Sequence, residues 1–148
     1  MSVVMQEVSV HSDSRGFVFE PLAEDSLQHQ HNAHVVISQP GAVRGNHYHL
    51  NGTEMIAVMG PAVVRIREDD KIRDIEIPAQ QVYRFIIPAK IPHAIQNTGD
   101  QPNILVAFNT FAHDPHKPDF VQEVLIGGFG NAEGGMRKAE FKEKLKRD

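Results

Sequence analysis

The sequence contains no cysteine at all. That excludes a disulfide framework, a thiolate metal site and a cysteine nucleophile, and it suits a reducing compartment. No stretch approaches the run of about 18 apolar residues that reads as a membrane-spanning helix, so no membrane partner is expected. The start, Met1 to Val10, carries Glu7 and lacks the basic beginning and apolar centre of a secretory signal; the expected location is the cytoplasm. Positive charge is not in excess either. Fifteen Lys and Arg stand against nineteen Asp and Glu, a formal charge of -4, which argues against a nucleic-acid partner because phosphate binding needs a basic face.

What is present is an ordinary globular balance, with 41% hydrophobic and 23% charged residues in 148. That length suits one domain able to bury a core without covalent staples. Histidine is the exception: there are nine.

The apolar runs are short, rich in β-branched residues and separated by turn signals. Strands are expected near residues 17–20, 34–38, 46–50, 53–59, 62–67, 72–77, 82–87, 93–97 and 104–109. Val63, Arg65 and Arg67 alternate with Val64 and Ile66, the two-residue period of a half-buried strand. Turns are marked by Pro40-Gly41, Asn51-Gly52, Gly60-Pro61, Asp69-Asp70 and Gly99-Asp100. Many short strands without intervening helices point to an all-β sandwich or barrel. The domain is expected over residues 1–130. The glycine-rich stretch 127–135 reads as a link to residues 131–148, a charged C-terminal helix or tail in which Glu140 precedes Lys144 by one helical turn.

The informative segment runs from Gly41 through Arg44, His47, His49, Asn51 and Gly52 to Glu54. Residues two apart on a strand face the same way, so His47 and His49 project together. If Asn51-Gly52 forms a two-residue hairpin turn, His49 lies opposite Glu54. Two imidazoles and a carboxylate would then share one patch, an arrangement that suits first-row metals. The alternative is a polar, water-filled mouth in which the histidines only hydrogen-bond. His93, which starts a strand after Pro88 and Pro92, is a candidate fourth ligand.

These two segments resemble the paired motifs of the cupin superfamily. Gly41, His47, His49, Glu54 and Gly60 follow the first, G-x5-H-x-H-x3,4-E-x6-G, with one residue fewer before the last glycine. Pro88, His93 and Asn97 follow the second, G-x5-P-x-G-x2-H-x3-N, but Val82 and Lys90 replace its glycines. The resemblance implies a double-stranded β-helix, a jelly-roll barrel. It also implies one divalent metal held by His47, His49, Glu54 and His93, zinc in the first place, with nickel, manganese or iron as alternatives.

A narrower likeness rests on Ser12-Asp13-Ser14-Arg15-Gly16, Gln39-Pro40-Gly41, Arg44-Gly45-Asn46-His47-Tyr48-His49, Asn109-Thr110-Phe111 with Asp114-Pro115, and Pro118-Asp119. It is similar to the C-terminal cupin domain of capsular-polysaccharide sugar-nucleotide enzymes and, more loosely, to dTDP-4-dehydrorhamnose 3,5-epimerase. The implied activity is epimerisation or isomerisation of a nucleotide-linked 4-keto-6-deoxy sugar. In the rhamnose epimerase the histidine matching His47 is a base and no metal takes part. The chain departs from the capsular enzymes at Ala89-Lys90-Ile91-Pro92-His93, where they favour Pro-Gly-Tyr-x-His.

Proton abstraction beside a ketone needs a base near neutral pKa. His47, Tyr83 and Lys90 are the catalytic candidates, with Tyr48 less favoured because strand alternation turns it away from His47 and His49. Arg44 and His34 are candidate substrate-binding residues, Arg44 because a guanidinium can hold a diphosphate through paired hydrogen bonds. His29, His31 and His34 read as a solvated loop, and His113 and His116 as a surface turn. Two other functions fit the same residues: an iron oxygenase on a small molecule, and a non-catalytic small-molecule binder. Exposed strand edges favour a homodimer.

Overall fold

The computed structural model describes residues 1–128; the charged segment expected at 131–148 lies outside the described residues. The strands are β1 (Val4–Val8), β2 (Val10–Asp13), β3 (Gly16–Phe19), β4 (Asn32–Ser38), β5 (Val43–His49) and β6 (Glu54–Met59). They continue as β7 (Ala62–Glu68), β8 (Lys71–Ile77), β9 (Val82–Ile87), β10 (His93–Asn97), β11 (Asn103–Asn109) and β12 (Phe120–Gln122). One turn of helix, α1 (Glu24–Leu27), interrupts them.

Two antiparallel five-stranded sheets form the body, in the orders β1-β9-β6-β11-β4 and β12-β5-β10-β7-β8. From β4 to β12 the chain passes repeatedly from one sheet to the other, which is the winding of a double-stranded β-helix. The all-β jelly-roll expectation holds. Nine strands lie where the sequence places them, while β1, β2 and β12 are additional.

The sheets face each other across an apolar core. Ile56, Val58, Phe85, Ile87, Leu105 and Ala107 project from the first sheet onto Val64, Ile66, Ile77 and Ile95 of the second. Phe85 is fully buried, and burying such a side chain is worth about 1.5–3 kcal/mol. On β7 the expected alternation appears: Val64 and Ile66 are buried, while Arg65 reaches out to pair with Asp74 at 2.7 and 2.8 Å. The β7–β8 turn uses Asp69 and Asp70 at φ 47° and 62°, the backbone of a tight hairpin.

Asn51-Gly52 behaves differently from the hairpin considered above. Strand β5 pairs with β10 and β12, and β6 pairs with β9 and β11. The loop therefore carries the chain between sheets, and neither Asn51 nor Gly52 takes the positive φ of a type I′ turn. The glycine serves close approach instead. A Cβ on Gly52 would stand 2.0 Å from Asn109 Oδ1 and 2.9 Å from Phe111 Cβ.

Candidate metal centre

The site lies at one end of the core, where β5, β6 and β10 converge. Register assigns the faces. Glu54 is in line with Ile87 and Asn109 on the first sheet, and His47 with His93 and Ile66 on the second. Since Ile66 and Ile87 are core residues, His47, His93 and Glu54 point inward. Phe120, paired with His49, shares that face.

A bulge produces this phase on β5. The pairing with β10 slips so that His93 faces His47 while Ala94 faces Gly45, leaving Asn46 as the extra residue. Gly45 and Asn46 have φ of 78° and 54°. The extra residue lets Arg44, paired with core-facing Ile95, and His47 both address the interior although they are three apart. The Asn46 side chain turns the other way and is buried. Its Oδ1 accepts from the Leu125 and Ile126 amides at 2.8 and 3.0 Å, and its Nδ2 donates to the Ile126 carbonyl at 2.9 Å.

Glu54 Oε2 is the centre of the group. It lies 2.8 Å from His49 Nε2, 2.9 Å from His93 Nε2 and 3.8 Å from His47 Nε2. One ligand atom from each of the four residues falls within 4.8 Å of every other. Glu54 is 4% exposed and His93 1%. Hairpin pairing is not needed for this convergence; opposed sheets supply it.

The donor chemistry fits a cation. His93 Nδ1 lies 2.9 Å from the Ile91 carbonyl oxygen, an acceptor, so in the neutral ring Nδ1 carries the proton and Nε2 the lone pair. That lone pair faces a carboxylate oxygen, which also accepts. Two acceptors at 2.9 Å require a proton or a metal between them. His47 Nε2 is buried with no hydrogen-bond partner, an orphaned ligand atom aimed at the same point. Three imidazoles and one carboxylate suit zinc, nickel, manganese or iron.

Electrostatics agree. Burial alone would push the Glu54 carboxyl up, but the surrounding imidazoles of His47, His49 and His93 outweigh it and hold the group well below the usual carboxylate range. Burial pushes His47 down, so this imidazole stays neutral. His49 is opposed by burial, yet Glu54 and the Asp119 backbone raise it.

The other candidates fall in different places. Arg44 is exposed on the inner face of β5, beyond the last residue of β12. His34 is exposed and pairs with Ala107, a core residue, so it occupies the inner face of edge strand β4. Residues 39–42 join β4 to β5 without pairing the two strands. Arg44 and His34 thus lie on the inner faces of the two opposed sheets. Tyr83 packs against the apolar core opposite Val58, about 13 Å along β6 from Glu54 at roughly 3.4 Å per residue.

Lys90 and Tyr48 line a cleft of about 510 Å³ together with Arg67 and Glu123. Arg67 faces away from the core residue Ile66, so this cleft opens on the outer face. Lys90 has φ 68°: the turn keeps a left-handed residue where the cupin motif has glycine. His31 Nδ1 lies 2.8 Å from the Thr110 carbonyl. Among the described residues, the four-residue cluster alone gathers metal-ligating groups; His29, His34, His113 and His116 do not join it. Asn97, the last motif residue, is structural: it donates to the Ser38 and Gln101 carbonyls and accepts from the Gly99 amide.

Sequence reasoning missed Asn46, Asn109 and Asp119 as parts of the site. Asn109 pairs with Glu54 and accepts from the Phe111 amide. The Pro118-Asp119 recurrence was the available signal for Asp119.

Among the described residues no helix is long and apolar enough to cross a membrane. Comparison with known proteins gives 28% identity over 127 residues with the spore coat polysaccharide biosynthesis protein SpsL of Bacillus subtilis, covering 79% of this chain and 84% of SpsL. The capsular polysaccharide assembling protein CapF of Staphylococcus aureus superposes with a TM-score of 0.58 at 28% identity. The match covers 79% of this chain but 33% of CapF, so this chain spans about a third of that protein. ChmJ of Streptomyces bikiniensis, a 3'-monoepimerase solved in complex with dTDP-quinovose, superposes with a TM-score of 0.69 at 17% identity, covering 95% of this chain and 81% of ChmJ. That likeness establishes the cupin fold. The Polysaccharide biosynthesis C-terminal domain matches residues 11–121, well over half of the sequence, and the chain belongs to that family.

Proposed function

We propose that the protein is a metal-binding epimerase or isomerase of nucleotide-linked 4-keto-6-deoxy sugars, working in polysaccharide biosynthesis. The observation that carries the reading is the buried His47–His49–Glu54–His93 cluster, with Arg44 and His34 on the inner faces of the same two sheets. Family membership supports the polysaccharide context, and the sugar-nucleotide ligand of ChmJ supports the substrate class.

His49, Glu54 and His93 would hold the ion, and His47 would serve either as the fourth ligand or as the base. A bound divalent cation supplies Lewis-acid stabilisation of charge developing on a ketone oxygen. The remaining work belongs to the chain. Arg44 grips the diphosphate through paired hydrogen bonds, and His34, on the inner face of the facing sheet, is the candidate contact for the sugar. The apolar wall of Ile66, Ile87 and Phe85 excludes water from the inner side. A neutral imidazole takes the proton beside the ketone, a step worth about 10²–10⁴-fold. His47 is the imidazole with a free lone pair, kept neutral by burial.

Whether His47 serves as ligand or base is decided by His47→Ala. Loss of metal assigns a ligand; retained metal with lost exchange assigns the base. The activity itself is tested by incubating the protein with a nucleoside-diphosphate 4-keto-6-deoxyhexose in D₂O and following the ring protons by NMR. Loss of the C3 or C5 signal, abolished by a chelator, supports the proposal. Absence of exchange in metal-replete protein refutes it, and substrate-dependent oxygen uptake would indicate an oxygenase.

A further inference from the structure

His49 and Glu54 come from opposite sheets, and only the loop of residues 50–53 joins them. An exposed loop of that kind does not by itself fix two ligands to a few tenths of an ångström. In this chain its middle is fastened from outside. Both oxygens of the Asp119 carboxylate reach the Asn51 amide, at 3.1 and 3.2 Å. Oδ1 also accepts from Asn51 Nδ2 at 2.6 Å, and Oδ2 from the Gly52 amide at 2.8 Å. The Asp119 carbonyl accepts from the Leu50 amide at 2.9 Å. On its inner side the loop lies flush against Asn109, where Gly52 leaves no room for a side chain.

We infer that Asp119 is a positioning residue for the metal centre: its carboxylate locks the Asn51–Gly52 backbone between His49 and Glu54, and so steadies both ligands. It touches neither substrate nor metal. The inference rests on reading the cluster as a metal site, and it explains a carboxylate spent on backbone amides at the rim. Groups that orient metal-binding histidines commonly change affinity by 10–100-fold when removed, and the same range is expected here.

The test is a double-mutant cycle on the full chain, with cobalt(II) affinity measured by competition with a chelator. Asp119→Ala should weaken cobalt binding by about 10–100-fold. In a His49→Ala background it should cost less than about threefold, because residues that act together are not additive. Asp119→Asn keeps the volume and one acceptor, and should recover part of the loss; where the alanine variant fails to fold, the asparagine variant carries the same cycle. A second readout needs no metal. In chelator-stripped protein, histidine side-chain ¹⁵N NMR should show one tautomer for His49 in the parent and averaging in the Asp119 variant. His93, held by Ile91, should be unchanged. Equal affinity losses in both backgrounds, with His49 signals unaltered, would overturn the inference. A parent chain that binds no cobalt, yet shows the His49 change, would uphold the clamp and refute the metal reading instead.

Discussion

Asn46 offers the sharpest stability test, because one side chain supports both the bulge and the segment packed outside it. Replacing it by glycine keeps the left-handed backbone but removes three hydrogen bonds, to the amides of Leu125 and Ile126 and to the Ile126 carbonyl. Ile126 is buried against Val43 and Ala94, so its two groups lose partners away from water; Leu125 is half-buried and regains some hydration. Losing a buried hydrogen bond costs about 1–3 kcal/mol, and the two at Ile126 put Asn46→Gly at about 2–6 kcal/mol. Alanine suffers further, since left-handed backbone costs a non-glycine residue about 1–2 kcal/mol. Glycine's own loss of freedom offsets roughly 0.5–1 of this. Alanine should therefore be the less stable variant by up to about 1.5 kcal/mol, the reverse of the usual order within a strand. Urea unfolding in the presence of a chelator measures both values without metal linkage. A glycine variant within about 1 kcal/mol of the parent, or alanine the more stable of the two, would show that Asn46 does not carry the bulge.

His49→Ala and Glu54→Ala should each lose most bound metal after purification, measured by elemental analysis; full retention in both would refute the metal site. The ionised Glu54 carboxylate contributes stability above the ordinary glutamate value of about 4.3, and that contribution is lost as pH falls through its depressed native value. Metal-free parent protein should thus lose more thermal stability than Glu54→Gln as pH falls from about 4.3 towards that depressed value, and parallel curves over that window would contradict the assignment. Gly52→Ala places a Cβ 2.0 Å from Asn109 Oδ1, so it should cost about 1–3 kcal/mol through overpacking and weaken metal binding as well. Lys90→Gly relieves the left-handed lysine at φ 68° and should leave stability equal or up to about 1 kcal/mol higher. Lost proton exchange in that variant would mark the ammonium as part of the chemistry.

The barrel was legible because its strands carry their own signals. The alternation in residues 62–67, the turns at Pro40-Gly41 and Asp69-Asp70, and β-branched runs such as Val35–Ile37 are local features. They survive because both faces of a two-layer fold select the same period. Strand β12 was not legible: three residues following Asp114-Pro115 and Pro118-Asp119 carry too little pattern. Its existence depends on the edge of β5, a tertiary fact. The Asn51-Gly52 dipeptide pointed to a hairpin for a sound local reason, and it was overruled because His49 and Glu54 belong to strands with other neighbours. The ligand set survived that change. His47, His49 and Glu54 are close in sequence, and any short connection between them leaves their side chains near the same end of the barrel.

The changed topology alters what the site does for the fold. Ligands on one hairpin could hold an ion with the rest of the barrel unformed. Here His47, His49 and His93 sit on one sheet and Glu54 on the other, so an ion at their centre binds only when the sheets are already face to face. Binding free energy is then folding free energy. The same placement leaves the metal-free site with the His93 lone pair opposed to the Glu54 carboxylate at 2.9 Å, at the end of an otherwise apolar interface. A sequence indifferent to metal would place leucine or valine there and gain stability. On the proposed reading, four polar residues kept in a buried layer, with a bulge at Asn46 to aim one and a clamp at Asp119 to steady another, are arranged for an ion and the substrate it would receive.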